Sequence, residues 1–577
     1  MKRIARFAAL LFPLLFLVAA GANGFSEPGM QGKPVSSFVP DEVLVQLKPG
    51  IRVEQILSGS PATLSVQDEA EGKGRNIARL KIKGGESLES AVAALSKREG
   101  VLFAQPNYIY HAALVPNDPL YPVQWGLPKI GMEEAWNLGT GSADVVVAVL
   151  DTGVDLNHPD LAGNLWTNPG EIPGNSIDDD GNGYVDDVHG WNSYANSPDV
   201  QDTAGHGTHV SGIIGAVGNN GAGVSGINWT TRIVAAKASS GNSFTTIDLA
   251  RGIDYVTALK EENNVNVVAI NASLGGPVSE DLLLNQAIGG AGNAGILFVA
   301  AAGNENSNND VTPFYPASLF MPHVLSVAAT DENDLLAVFN TSQASNYGRR
   351  TVHIGAPGKN IRSTYRDVVG VSGYADLSGT SMAAPYVAGV LALLKAQDPN
   401  LDWIALKNRV LSCGTPVSSL ALKTITGRRL RATGSGQVVQ SRLRPIKDTH
   451  DLLPGNTVDL AALNISGETS LGNLSVNLER NGASYGTVTL KDDGAGYDQV
   501  AGDGIASATW TVPAQADSTY RFSFPDGTLT ITVQLSPEPP PTPSGGGGGG
   551  GCSAAAGPGL ALLLFVPLGL AFLWRRR

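Results

Sequence analysis

The central part of this chain predicts an α/β domain built around a mainly parallel sheet, and three observations carry that expectation. Runs of strand length that are apolar almost throughout, with no polar alternation, occur at 144–150 and 296–302. Such runs belong to strands covered on both faces, as parallel strands are. Stretches of small apolar residues at 210–217 and 381–396 read as helices. Finally, each of these elements is bordered by a short polar, glycine-bearing segment: Asp151-Thr-Gly, Gly205-His206-Gly207, Gly303-Asn304-Glu305 and Gly379-Thr380-Ser381. Ligand and catalytic groups in open α/β sheets lie beyond the carboxyl ends of the strands, where Asp151 and Asn304 fall.

The chemistry of those segments is that of an activated hydroxyl. A serine attacks only when a neighbouring base takes its proton, and a carboxylate must hold that base in one tautomer. Asp151 fits the orienting role, His206 the base and Ser381 the nucleophile, in the chain order Asp, His, Ser. Glycines on both sides of His206 allow backbone to approach the imidazole closely. Ser381 opens a helix, where developing negative charge is favoured. The Asn304 amide can donate to the oxyanion of a tetrahedral intermediate, together with the Ser381 N–H.

In these four blocks, residues 125–444, more than half of the chain, resemble the catalytic domain of subtilisin-like serine proteases. The resemblance implies a three-layer sandwich around a mainly parallel sheet. It also implies endopeptidase activity through an acyl-enzyme, with the four roles just assigned. It further implies that an extended peptide pairs as an added strand along Ser273, Leu274, Gly275 and Gly276, which gives affinity with little sequence selectivity. Side chains facing the primary pocket, from 301–304 and 273–276, are small and uncharged. They predict broad preference for apolar or aromatic residues, a point that Glu305 at the rim leaves open. Asn271-Ala-Ser273 is a glycosylation sequon, but its place in a buried strand speaks against that use.

Two calcium sites are expected. In 178–187, Asp178, Asp180, Asn182 and Asp186 set oxygen ligands at alternate positions around a glycine, the way a loop wraps a hard cation. The loop departs from the helix-loop-helix pattern because His189 stands at its twelfth position; a plain acidic, solvated loop is the alternative. The second site rests on the resemblance alone: Asp160 and Asn220 match the positions of a family calcium site, with loop carbonyls from 218–224.

The flanks divide the chain further. Residues 1–22 have a basic start, a short apolar core and a small-residue cleavage site, as a secretory signal peptide does. Residues 23–113 read as β-β-α-β (42–47, 77–83, 87–99, 101–110). They resemble the family's α+β propeptide, cut between 109 and 118; a permanently attached regulatory domain is the alternative. The catalytic domain is expected over 114–445. Residues 446–535 alternate like short strands (457–463, 474–480, 485–490, 505–512, 520–524, 529–535), predicting a loosely immunoglobulin-like β-sandwich. The loop from Lys491 to Gly504 suits either calcium or simple turns. A Pro/Gly-rich linker fills 536–553. Residues 554–574 are apolar and precede Arg575-Arg-Arg577, long enough to span a bilayer. With the glycine run this end resembles a bacterial sorting signal; a plain transmembrane anchor is the simpler alternative.

Two cysteines, Cys413 and Cys552, cannot carry a disulfide framework. A net charge of −13 argues against nucleic acid as a partner and suits an extracellular enzyme. The basic cluster at 428–444 reads as a solvated domain edge. The expected protein is therefore a monomeric, exported endopeptidase, possessing its own propeptide and acting on protein or peptide substrates. Membrane contact would come through the tail. A non-catalytic adhesive protein and a processing enzyme with one narrow substrate are the competing readings.

Overall fold

The computed structural model of the chain describes residues 38–58, 64–72, 75–83, 87–109, 114–241, 243–514 and 518–534. The signal peptide, the linker and the carboxyl-terminal apolar segment read from the sequence lie outside the described residues.

A nine-stranded sheet occupies the centre. Its spatial order is Thr415–Pro416, Arg428–Arg429, Ile354–Pro357, Val324–Thr330, Leu297–Ala301, Val267–Ala272, Gly141–Asp151, Thr230–Lys237, Gly190–Asn192. Every pairing is parallel except that between Thr415–Pro416 and Arg428–Arg429. The continuous apolar run of Gly141–Asp151 is explained by the layers on either side. Val145, Val147 and Val149 enter one core with the helices His206–Gly215 and Thr380–Gln397. Val146, Ala148 and Leu150 enter a second core with the helices Thr246–Glu261 and Leu282–Asn293. A strand that buries both pleat faces has no polar side to show in its sequence. The architecture is the three-layer α/β sandwich with a mainly parallel sheet.

Ahead of it stands a four-stranded antiparallel sheet, ordered Leu64–Gly72, Arg75–Ile82, Phe38–Leu47, Val101–Tyr108, with its own core. The helix Leu88–Ser96 packs on it. The strand Leu64–Gly72 and the short helix Val53–Leu57 were not legible in the sequence, where only three strands and one helix stood out. Acidic residues between 68 and 71 break the apolar alternation of that strand, as a sheet edge tolerates.

The carboxyl-terminal part forms two sheets. Val439–Arg444, Thr457–Ser466, Thr469–Ser470 and Ile505–Thr511 make one, and Thr449–Leu452, Leu474–Arg480, Ala483–Leu490, Ser518–Phe524 and Gly527–Val533 the other. Its first strand, Val439–Arg444, begins inside the range read as catalytic from the sequence. The reason is packing. Val439, Leu443, Ala461, Leu463, Ile465 and Ile505 share one continuous core with Val410, Leu411, Ile425 and Leu430.

The same seam corrects the reading of 428–444 as a solvated edge. Arg428, Arg429 and Arg442 are 8, 7 and 0 % exposed. Arg429 pairs with Asp334 at 2.7 Å, and Arg442 with Asp448. Arg428 instead donates to the Gly414 carbonyl and to Gln437 Oε1, and a periodic reading cannot see any of these partners. Across the seam, Lys407 Nζ meets Asp503 Oδ2 at 2.9 Å, with both side chains at most 2 % exposed. Removing one partner of such a pair leaves a buried charge and costs about 3–5 kcal/mol. Lys407→Met should therefore lower the denaturation free energy by that order while leaving kcat at the wild-type value. Equal midpoints for the two proteins in a denaturant titration would refute it.

Candidate active site

Three adjacent parallel strands end at the site: Leu297–Ala301 leads to Asn304, Val267–Ala272 to Ser273, and Gly141–Asp151 ends on Asp151 itself. His206 is the first residue of its helix and Ser381 the second of the other. The residues nominated from four distant segments are thus carried to one edge of the sheet.

Asp151 is fully buried, and its two oxygens accept from His206 Nδ1 at 2.8 and 3.0 Å. A third bond, from Thr152 N at 2.8 Å, fixes the carboxylate further. Burial alone would push the His206 pKa down. The Asp151 carboxylate outweighs it, with a contribution from Asp202, and holds the ring above its ordinary value. The flanking glycines are needed sterically. A Cβ on Gly205, whose φ is +84°, would lie 2.2 Å from the Arg366 carbonyl, and one on Gly207 would lie 2.1 Å from the Gly153 carbonyl.

Ser381 Oγ donates to the Ser273 carbonyl at 3.1 Å, and Ser273 Oγ donates in return to the Ser381 carbonyl at 2.7 Å. Among the described residues no hydrogen bond joins Ser381 Oγ to His206. The triad is closed on its Asp–His side and open on its Ser–His side, a looseness usual before substrate arrives. Asn304 Oδ1 accepts from Thr380 N at 2.9 Å and Thr380 Oγ1 at 3.0 Å, so its amino end is the one available to an oxyanion. Glu305 is exposed, and its Oε2 is engaged by Asn304 N and Asn346 Nδ2, each at 2.8 Å.

Of the substrate segment, Leu274 is 8 % exposed and Gly276 exchanges two backbone bonds of 2.9 Å with Tyr315. A Cβ on Gly275 would meet the Phe314 ring at 2.4 Å.

Two residues outside the sequence reading complete the frame. Asp202 is fully buried; its Oδ1 accepts from Thr152 Oγ1, Ala204 N and Gly205 N, and its Oδ2 from the N–H and hydroxyl of Thr208. It ties the Asp151 turn to the His206 helix. An Asp just ahead of a helix was its only sequence signal. Thr380 orients Asn304 as described, and its place in Gly-Thr-Ser suggested no more than a helix cap.

The acidic loop fits its expectation in part. Carboxylate oxygens of Asp178 and Asp180 lie within 4.8 Å of each other and of Glu171, which is 7 % exposed and was missed because it precedes the loop. Asp186 does not join them: its carboxylate accepts from Gly174 N, Asn175 N and Ser176 N and so closes a neighbouring turn. Asn182 turns its amino group to Asp180 and Asp187, at 3.3 and 3.1 Å, while its oxygen accepts from Tyr184 N. At the second expected site, Asp160 and Asn220 do meet, at 2.8 Å, but the Asn220 nitrogen is the donor and its oxygen is held by Ala222 N. Val224 N takes the other Asp160 oxygen at 2.8 Å. Asp160 is thus satisfied here by hydrogen bonds from Asn220 and Val224.

Comparison with known proteins agrees with the geometry. The subtilase family pattern matches residues 142–428, and the fervidolysin N-terminal prodomain matches 28–107. A thermophilic serine proteinase of Bacillus sp. (strain AK1) is 36 % identical over 402 residues, covering 68 % of this chain and 87 % of its own. Thermitase of Thermoactinomyces vulgaris is 38 % identical over 284 residues, covering 49 % and 86 %. A solved structure described as proteases from Pseudoalteromonas arctica covers 55 % of this chain and 98 % of its own, at 28 % identity and a TM-score of 0.46. With this chain spanning most of a relative more than 30 % identical to it, and with a carboxylate at a strand end and an imidazole and a hydroxyl at two helix starts on the same edge of the sheet, the chain belongs to the subtilase family and is a subtilisin-like serine endopeptidase with an N-terminal prodomain.

Proposed function

We propose that this protein is an exported endopeptidase of broad specificity, held at the cell surface and activated by removal of its prodomain. In this reading Ser381 attacks the scissile carbonyl while His206 takes its proton. Asp151 keeps the imidazole in the tautomer whose Nε2 is free to accept, and stabilises the imidazolium that forms. Asn304 and the Ser381 N–H receive the oxyanion, and His206 then protonates the leaving amine. Ser273, Leu274, Gly275 and Gly276 hold the acyl side of the peptide as an added strand. The observation that carries the reading is the Asp151–His206 pair at 2.8 Å, at the strand-end edge that also gathers Ser273, Asn304 and Ser381. Export and anchoring are supported by the basic and apolar start at 1–22 and by the apolar 554–574 before three arginines.

A fluorophosphonate reagent tests the catalytic assignment on the processed protein. A single adduct on Ser381 is expected, and processed protein that stays unlabelled would sink the enzyme assignment. A peptide library should be cut after varied apolar or aromatic residues; one sharp motif would replace broad specificity with a dedicated processing role.

For calcium, the fitting donors are Glu171, Asp178 and Asp180, three hard carboxylates gathered within 4.8 Å. A cation held there would stabilise the loop and takes no part in the chemistry. At a free concentration 100 times its Kd it would add about 2.7 kcal/mol to stability. Chelator should lower the thermal midpoint of the wild-type protein and leave that of Glu171→Gln nearly unmoved. A wild-type midpoint indifferent to chelator removes the site.

A further inference from the structure

We propose that Asp526, in the turn between the sandwich strands Ser518–Phe524 and Gly527–Val533, is a positioning residue for the Asn304 oxyanion donor. The inference rests on the reading of Asn304 given above. It assigns the carboxyl-terminal sandwich a part in turnover.

Asn304 belongs to the loop 303–310, and that loop is zipped along a second segment, 344–351. Asn306 N donates to the Ala344 carbonyl at 3.0 Å, Asn346 N to Gly303 at 2.9 Å, Tyr347 N to Ser307 at 3.0 Å and Asn309 N to Tyr347 at 2.7 Å. The side chain of Asn346, 1 % exposed, deepens the connection. Its oxygen accepts from Glu305 N and Ser307 N, each at 2.9 Å, and its nitrogen donates to the Glu305 carboxylate that also receives Asn304 N. Gly303 makes this closeness possible: with φ +108°, a Cβ there would lie 2.3 Å from Asn346 Nδ2.

The far end of the second segment is where the sandwich takes hold. Arg350 N and Thr351 Oγ1 bond to the Asp310 carboxylate, at 3.0 and 2.8 Å, so the two segments are locked again there. The guanidinium groups then leave the catalytic body. Arg350 pairs with the Asp526 carboxylate and donates to the Arg442 carbonyl at 2.8 Å. Arg349 donates to the Asp526 carbonyl and approaches its carboxylate at 3.6 Å. Asp526 Oδ1 is itself fixed by Arg442 N at 3.2 Å, so the anchor is tied into the sandwich.

The energetics give the anchor weight. Arg350 is 2 % exposed, and its remaining carboxylate, Asp448, stands 3.5 Å away and is 56 % exposed. Without the Asp526 charge the buried guanidinium loses its close partner and must shift or recruit water. Any shift of 349–351 travels along hydrogen bonds that end on Glu305 and Asn304. An oxyanion donor must sit within about 0.5 Å of its productive place. Backbone pairing of substrate along 273–276 uses a different strand, and 301–304 adds only the rim of the primary pocket, so the loss should be larger in kcat than in KM.

The test is a double-mutant cycle on the full chain, assayed after processing is complete and with active sites counted by burst titration. Asp526→Asn should lower kcat about 2- to 30-fold, the range of coupling between sites linked through a packed network, with a smaller change in KM. Asp526→Glu should recover most of it, and affinity for a peptide boronate should fall in step with kcat. In an Asn304→Ala background Asp526→Asn should add nothing. Lys407→Met is the control: it loosens the same seam without touching 344–351 and should cost stability alone. The proposal is overturned by wild-type kcat in Asp526→Asn, or by its full factor persisting beside Asn304→Ala. If Asn304→Ala itself keeps wild-type kcat, the oxyanion reading falls first and the proposal with it.

Discussion

Ser381→Ala is expected to lower kcat on the order of 10⁶-fold, the magnitude known for loss of the nucleophile in subtilisin itself, a member of the same family. The reason is that the triad acts as a unit. Without the hydroxyl, neither the base at His206 nor its orienting carboxylate has a proton to move, and only oxyanion stabilisation and substrate positioning remain. The substitution removes one oxygen whose only hydrogen bond among the described residues is to the Ser273 carbonyl, so the fold should be undisturbed. Thermal midpoints should agree within about 2 °C, as small surface-like changes do. The same variant reports on maturation. If the prodomain is removed by the enzyme's own active site, Ser381→Ala should accumulate as the uncut chain, seen by mass spectrometry of its amino terminus. Processing at the wild-type rate would show that another protease does the cutting.

Asp151→Asn should lower kcat about 10⁴-fold, because the amide favours the wrong imidazole tautomer. Its pH profile carries the sharper prediction. His206 works as a base only when neutral, so kcat/KM falls as pH drops through the His206 pKa. In the wild-type protein burial pushes that pKa down and Asp151 pushes it up more strongly, with the net value above the ordinary 6.5. The acid limb should therefore lie above pH 6.5. Removing the carboxylate leaves burial as the larger influence, and the limb should move below 6.5. A limb that stays in place when Asp151 is neutralised would mean that Asp151 does not set the His206 charge. His209, one turn further along the same helix, offers a contrast: burial pushes it down to about 3, between the Ile361 and Ala375 carbonyls, and it stays neutral throughout the assay range.

The reach of the sequence follows from what kind of interaction each feature uses. The catalytic groups were legible because they sit in short contiguous blocks whose glycines and small residues are demanded locally. Gly205 and Gly207 are examples, each facing a carbonyl where a Cβ would collide. The central strands were legible because burial on both faces leaves them apolar throughout. Strand Leu64–Gly72 was hidden by its acidic edge, and Val439–Arg444 by arginines that look solvated until Asp448 is placed against Arg442 and the Phe320 ring against Arg444.

The calcium reading shows the same division. Alternating acids at 178–186 identify a loop rich in oxygen donors, yet spacing could not tell that Asp186 would turn to the N–H groups of 174–176. Nor could it show that a Glu171 carboxylate oxygen would lie within 4.8 Å of those of Asp178 and Asp180. Those choices are made by how the loop folds back on itself.

By itself, the sequence determined the fold class and the class of chemistry, since buried parallel strands show as unbroken apolar runs and the catalytic candidates sit in short contiguous motifs that resemble those of a known family. Only the tertiary structure decided which groups orient the catalytic ones. Asp202, Thr380 and Asn346 act through hydrogen bonds to residues distant in sequence, and the arginine seam joins the sandwich to the catalytic body. Such contacts obey no period and need no motif. They exist because folding brings two unrelated stretches of chain within 3 Å of each other.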